Sequence, residues 1–271
     1  MDLIKKKKFD KIISNIKKVK IQGASSVAKA ALEAYSLFPD RKTRKILMGS
    51  RPTEPMMEKV LEMAEKYPYG KIMDHFPHTQ KKINNFVLKL IKNNKVIFTH
   101  CHSTNVNKAL TYSHKKGKRF EVYATETRPL YQGRKTASEL RKAGIKVTMF
   151  VDSSLGIVLS GKQGFKKANI VLLGADALLK SGIINKIGSE LVARIAAEEK
   201  IPFYIVADSW KFTRKKIPIE QRDLNEVWDK APSNIKIRNP AFEFVNKKYI
   251  EGIVTEFGLM KYGEFVRKIS H

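Results

Sequence analysis

Cysteine is nearly absent: the chain holds one, Cys101, in 271 residues. A lone thiol excludes an internal disulfide and suits a reducing, cytoplasmic setting. Long apolar runs are missing as well. None nears the roughly 20 residues that cross a bilayer, so no membrane partner is expected. The opening MDLIKKKKFDKII has lysines but neither an apolar signal core nor a small-residue cleavage site, and no secretory signal is predicted. Neither GxxxxGKS/T nor GxGxxG occurs, which argues against ATP, GTP and NAD. There is no CxxC or HxxxH, and the consecutive His100, Cys101 and His102 cannot easily converge on one ion; neither metal nor cofactor is expected. Acidic residues are scarce, 26 against 53 Lys and Arg, for a net charge of +27. That charge suits polyanions, yet the lysines are spread along the whole chain with no RNA-binding signature or aromatic platform. The spread favours solvated helix faces over a nucleic-acid interface.

What is present describes a globular chain, 42% apolar and 29% charged, long enough for one large domain or two modest ones. Residues 1–90 read as an N-terminal helical domain. Leu3, Ile4, Phe9, Ile12, Ile13, Ile16 and Val19 recur at helical spacing. A second helix opens at Ser25 and Ser26 as candidate caps, a third at Thr53 with Pro55 in its first turn, and a fourth at Thr79. From residue 91 to 271 the rhythm changes. KVIFTH, FEVYATE, KVTMFVD, NIVLLGAD, PFYIVAD and IEGIVTE alternate with helical segments. Continuous apolar runs predict strands buried on both faces. The fold class is α/β: a helical domain, then a Rossmann-like, doubly wound, mostly parallel sheet.

Ligands of such sheets bind beyond the strands' carboxyl ends. Those ends carry Cys101, then Glu126 and Arg128, then Asp152, Asp176, Asp208 with Lys211, and Glu256. A thiol, several carboxylates and a few cations are expected on one rim. Cys101 is either a small buried hydrophobe or a reactive thiol. In the second case the helix starting near Ser103, and flanking histidines if protonated, would favour the thiolate. Asp176 is either a turn or capping residue or an acid kept protonated by its apolar strand end. Arg128, in a loop with Pro129 and Gly133, suits phosphate or a solvated turn. Asn185 and Lys186 precede a helix whose N-terminus could receive phosphate. Gly23, Ala24, Ser25 and Ser26 form another turn before a helix, and Arg51 stands near a third.

THCHS, TETRPLYQGRKTASEL, GAD…INKIGS and IPFYIVADSWKF, in that order, resemble one superfamily. Its members are ribose-1,5-bisphosphate isomerase, methylthioribose-1-phosphate isomerase and the α, β and δ subunits of translation initiation factor 2B. The resemblance spans essentially the whole chain and implies the same two-part fold. It implies that Cys101 and Asp176 carry isomerase chemistry. The implied substrate contacts are Gly23, Ala24, Ser25, Ser26, Arg51, His102, Ser103, Thr104, Asn185, Lys186 and Lys211. Retention of both the cysteine and the aspartate favours an enzyme, a sugar-phosphate aldose–ketose isomerase of nucleotide salvage acting on ribose 1,5-bisphosphate without a cofactor. The alternatives are a non-catalytic regulator that binds initiation factor 2, and a methylthioribose-1-phosphate isomerase. A homodimer or hexamer is implied. One departure stands out: Gln22 precedes Gly23 where the bisphosphate isomerases usually carry Arg, which removes an expected phosphate ligand.

Overall fold

The computed structural model describes residues 3–270; Met1, Asp2 and His271, at the outer ends of the two expected domains, lie outside it. Five helices come first: α1 (Leu3–Lys17), α2 (Ala24–Leu37), α3 (Arg41–Ser50), α4 (Pro55–Ala64) and α5 (Tyr69–Leu90). In α1 the lysines face water while Phe9, Ile12, Ile13 and Ile16 pack on Val27, Ala31 and Leu47 of α2 and α3. Each such buried side chain contributes about 1.5–3 kcal/mol of transfer free energy. A second small core joins Ala28 and Leu32 of α2, Met56 and Val60 of α4, and Ile72 and Phe76 of α5.

The helix starts differ from expectation. Gly23, not Ser25 or Ser26, is the N-cap of α2, at φ +84°, a conformation glycine reaches without strain. Glu54, not Thr53, precedes α4. The α3 helix, capped by Asp40 accepting from the Thr43 N–H at 2.7 Å, has no counterpart among the predicted elements. The α5 helix begins at Tyr69 rather than Thr79 and contains Pro77. Its second half is amphipathic enough to be visible in sequence, whereas the proline masked the first.

The rest is α/β. Its elements are β1 (Lys95–Thr99), α6 (Thr104–Lys115), β2 (Phe120–Thr125), α7 (Gln132–Lys142), β3 (Lys146–Phe150), α8 (Leu155–Ser160) and β4 (Ile170–Leu173). Then come β5 (Ala177–Leu179), β6 (Gly182–Lys186), α9 (Ser189–Glu198), β7 (Phe203–Val206), β8 (Phe242–Asn246), β9 (Gly252–Thr255), β10 (Gly258–Met260) and α10 (Tyr262–Ser270). The main sheet has the order β10-β9-β7-β4-β1-β2-β3, parallel except for the β9–β10 hairpin. Successive side chains of β1 enter opposite cores: Val96 and Phe98 pack with α8, α9 and α10, Ile97 with α5, α6 and α7. A second, antiparallel sheet, β5-β6-β8, was not expected. Its strands are short, and GIINK reads in sequence as the approach to α9.

The chain runs β1-β2-β3 to one side of the sheet and β4-β7-β9 to the other. Its direction therefore reverses between β1 and β4, which pair in parallel through Ile97↔Ile170 and Phe98↔Val171. In open α/β sheets the ligand crevice lies at such a reversal. Cys101 follows β1 and Asp176 follows β4.

Candidate functional site

Beyond β1 the chain turns sharply. Cys101 has φ +66° and Thr127, in the loop after β2, has φ +62°, a conformation costly for non-glycine residues and most of all for a β-branched one. Both are held by hydrogen bonds. The Cys101 N–H donates to Thr127 Oγ1 at 2.9 Å, and Thr136 Oγ1 donates to the Cys101 carbonyl at 2.8 Å. Asp152 accepts from the Thr127 N–H at 2.8 Å and from the Arg128 N–H at 2.6 Å. Ser103 then caps α6. The turn thus aims the thiol across the rim toward the end of β4.

One pocket opens there. Of the fourteen residues given a candidate catalytic or ligand-contact role from sequence, twelve line it: Gly23, Ala24, Ser25, Arg51, Cys101, His102, Ser103, Thr104, Asp176, Asn185, Lys186 and Lys211. Ser26 and Arg128 are not in its lining. Arg128 turns outward, donating to Tyr131 Oη at 2.5 Å and to the Val227 carbonyl at 3.1 Å. The open N-terminus of α2, with no side chain capping it, presents Gly23, Ala24 and Ser25 to the cavity. Lys211 Nζ donates to the Ala175 carbonyl at 2.6 Å, and Lys186 Nζ lies 5.0 Å from the centre of the Phe242 ring.

The rim is less crowded with acid than the sequence suggests. Asp152 is consumed by the Thr127 turn and Glu126 pairs with Arg134 at 2.9 Å. Asp208 accepts from the ring of His75 on α5 at 3.0 Å and from the Trp210 N–H at 2.9 Å. Glu256 accepts from the Ser209 N–H at 3.1 Å and from the Ser209 hydroxyl. The His75, Asp208 and Glu256 ligand atoms lie within 4.8 Å of one another, near enough for a cation. Protein donors already engage both carboxylates, however, so the group reads as a brace between α5 and the sheet. The N-terminus of α9 is also occupied: Glu243 accepts from the Glu190 N–H at 2.8 Å.

Electrostatics bear on the two readings of Cys101. Burial pushes the Cys101 thiol up to about 11, and neighbouring Lys186 offsets this only in part. The resting sulfur is a thiol, not a thiolate. Neither imidazole helps, although the His102 backbone N–H does pull the thiol downward. His100 lines the pocket, but both its ring nitrogens are engaged, Nε2 against the Ile187 carbonyl at 2.8 Å and Nδ1 against Thr125 Oγ1 at 2.5 Å. A carbonyl only accepts, so Nε2 carries the hydrogen and Nδ1 accepts from the hydroxyl. Burial depresses the His100 pKa and keeps the ring neutral. His102 meets Glu139 at 2.9 Å. Asp176 has its pKa raised, first by burial, with Lys211, Lys186 and Arg51 pulling the other way.

Sequence reasoning missed Glu54, Glu220 and Arg222. Arg51 Nε lies 3.4 Å from Glu54 and Nη2 lies 3.8 Å from Glu220, and Arg222 joins Glu220 at 3.3 Å and also pairs with Glu226. Arg222 reaches the pocket from a long irregular stretch, residues 213–240, that gives no local signal. Glu54 had one: it stands three residues after Arg51 at a helix start.

Similarity to known proteins follows this geometry. The chain matches the Initiation factor 2 subunit family, IF-2B, over residues 40–262. It belongs to that family. It is 31% identical to the ribose 1,5-bisphosphate isomerase of Archaeoglobus fulgidus, over 90% of this chain and 86% of the relative. It is 34% identical to the isomerase of the same name from Methanocaldococcus jannaschii, over 96% and 92%. A methylthioribose-1-phosphate isomerase from Thermosipho melanesiensis is 30% identical over 97% and 90%. Among solved structures, a translation initiation factor eIF-2B from Pyrococcus horikoshii OT3 superposes with a TM-score of 0.81 at 28% identity, covering 93% of this chain and 96% of that one. No helix among the described residues is long and apolar enough to cross a membrane.

Proposed function

We propose that this IF-2B family chain is an aldose–ketose isomerase that converts ribose 1,5-bisphosphate to ribulose 1,5-bisphosphate. The observation carrying this reading is a thiol and a carboxyl whose pKa desolvation raises, at the ends of two adjacent strands, lining one pocket with Arg51, Lys186 and Lys211. The same substrate is named for the archaeal relatives above. Arg51, Lys186, Lys211 and the open N-terminus of α2 hold the phosphates. Cys101, once ionised, takes the proton from carbon 2. Asp176 gives its proton to the ring oxygen as the bond from carbon 1 to that oxygen breaks, and an enol forms between carbons 1 and 2. The Cys101 thiol then returns its proton to carbon 1. The Asp176 carboxylate takes the proton from the oxygen on carbon 2, which restores both groups and leaves the ketone.

Turnover of ribose 1,5-bisphosphate beside methylthioribose 1-phosphate tests the reading. Faster turnover of the bisphosphate supports it; exclusive turnover of the monophosphate moves the substrate but keeps the chemistry. A second reading, a regulator that binds a phosphorylated ligand and initiation factor 2, draws on Gln22, which lines the pocket before Gly23. Turnover of neither sugar, together with capture of initiation factor 2, replaces the enzyme with that regulator. The working enzyme is a cytoplasmic homodimer or hexamer, which light scattering of the purified chain tests.

A further inference from the structure

The turn that opens α2 brings no cation of its own: Gln22, beside Gly23 on the pocket wall, is neutral. A helix N-terminus supplies the equivalent of about half a positive charge, too little by itself for a dianionic phosphate. Two arginines line the same pocket, Arg51 and Arg222. Glu220 touches both, Arg51 Nη2 at 3.8 Å and Arg222 Nη1 at 3.3 Å. A neighbouring cavity of about 340 Å³ shares Val19 and Arg51 with the pocket and adds Glu220 to its wall. Val19 stands three residues before Gln22. Both arginines are therefore gathered at the edge of the pocket where the chain enters α2.

Arg222 belongs to an irregular stretch but is firmly placed. Its N–H donates to the Asn239 carbonyl at 2.9 Å, and the Glu220 carbonyl accepts from the Ala241 N–H at 2.8 Å. The Arg222 side chain is 16% exposed. Its Nε donates to Glu226 at 3.3 Å and its Nη2 to the other oxygen of that carboxylate. Asn239, itself buried, donates to Glu226 at 3.3 Å and steadies it. A guanidinium has five N–H donors, and these contacts with Glu220 and Glu226 spend three. No other group among the described residues accepts from it. A fork held along one edge and open at two donors suits a pair of phosphate oxygens.

We propose that Arg222 is a phosphate-binding residue: with Arg51 it takes the phosphate seated on the N-terminus of α2, its fork held by Glu220 and Glu226. That the phosphate belongs to ribose 1,5-bisphosphate rests on the isomerase reading.

Calorimetry with ribose 1,5-bisphosphate, ribose 5-phosphate and methylthioribose 1-phosphate tests this on wild type, Arg222→Gln and Arg222→Lys, with Tm measured for each. Arg222→Gln should weaken the bisphosphate about tenfold or more, the worth of one hydrogen bond between charged groups. Only one of the two monophosphates should weaken with it, because only one end of the sugar meets the arginine. Arg222→Lys keeps a cation between the two carboxylates, and so the fold, but loses the fork; it should show the same selectivity with a several-fold loss. Adding Gln22→Arg to Arg222→Gln returns a cation to the α2 turn and should recover much of the affinity, which a purely structural role would not allow. Affinities within twofold of wild type in both variants, or an equal loss for all three sugars, overturns the proposal. If the wild type binds these sugars and turns over none, the isomerase reading falls while the affinities still decide Arg222. If the wild type binds none of them, both fall.

Discussion

Gly174 and Ser103 meet so closely that a Cβ on Gly174 would lie 2.5 Å from the Ser103 hydroxyl oxygen and 2.7 Å from its Cβ. The end of β4 and the start of α6 touch only because one of the two residues has no side chain. Asp176 lies two residues beyond that contact and Cys101 two residues before it. Gly174→Ala must push α6 away, at a cost of about 1–3 kcal/mol for overpacking. A lower Tm together with a loss of turnover is expected. Wild-type values for both would show that the gap between the strand ends does not matter.

The resting thiol makes a distinct prediction about labelling. With Cys101 near 11, about one molecule in ten thousand carries the thiolate at pH 7. Iodoacetamide should therefore label the protein slowly, its rate rising tenfold per pH unit from pH 7 to 10. A rate that levels off below pH 9 would mean an ordinary or activated thiol.

Removing the sulfur tests its role. Cys101→Ser should lower kcat by about a thousandfold or more, within the range for loss of a positioned base, while sugar-phosphate binding measured by calorimetry is retained. Unchanged turnover would sink the assignment of the base.

The pH profile follows from the two groups together. Cys101 must be deprotonated, a fraction that grows with pH up to about 11. Asp176 must be protonated, a fraction that shrinks as pH rises through its elevated pKa. Below the Asp176 titration kcat/KM should climb tenfold per unit; above it the two trends cancel and the profile levels. A fall across neutral pH would require a thiol far more acidic than its burial allows.

Glu243 supplies a control. Its carboxylate caps α9, so Glu243→Ala should lower stability by about 1 kcal/mol in a urea titration. Turnover should still saturate at a similar substrate concentration, because the α9 N-terminus is filled by protein. A several-fold change in KM would place a phosphate there after all.

Much of this was legible in the chain. Apolar strands buried on both faces announced the sheet, and the polar residue after each strand announced the rim. Periodicity could not show which strand ends are neighbours. The adjacency of Cys101 and Asp176 depends on β4 pairing with β1, a long-range register with no local signature. Local chemistry also misled at Asp152, Glu126, Asp208 and Glu256, whose carboxylates sit at strand ends but are spent on backbone, arginine, histidine and serine partners. Of the two readings of Cys101, electrostatics disfavours a resting thiolate for a physical reason. Desolvation of the sulfur outweighs a helix N-terminus worth a fraction of a kcal/mol to about 2. The β5-β6-β8 sheet stayed hidden because three-to-five-residue strands leave too short a pattern to read.

One helix ties the two cores of the molecule together. Ile72 and Phe76 of α5 are clamped in the helical core and Ile83 and Val87 in the core beneath the sheet, while His75, beside Pro77, is pinned to Asp208. Flexing that rod would tear side chains from one core or the other, so α5 holds the helical core against the sheet. The irregular chain of residues 213–240 carries Arg222 to the pocket and is tied to the helical part by Glu220 on Arg51 and by Lys215 on Glu58, so the two parts are joined at the pocket's edge as well as along α5.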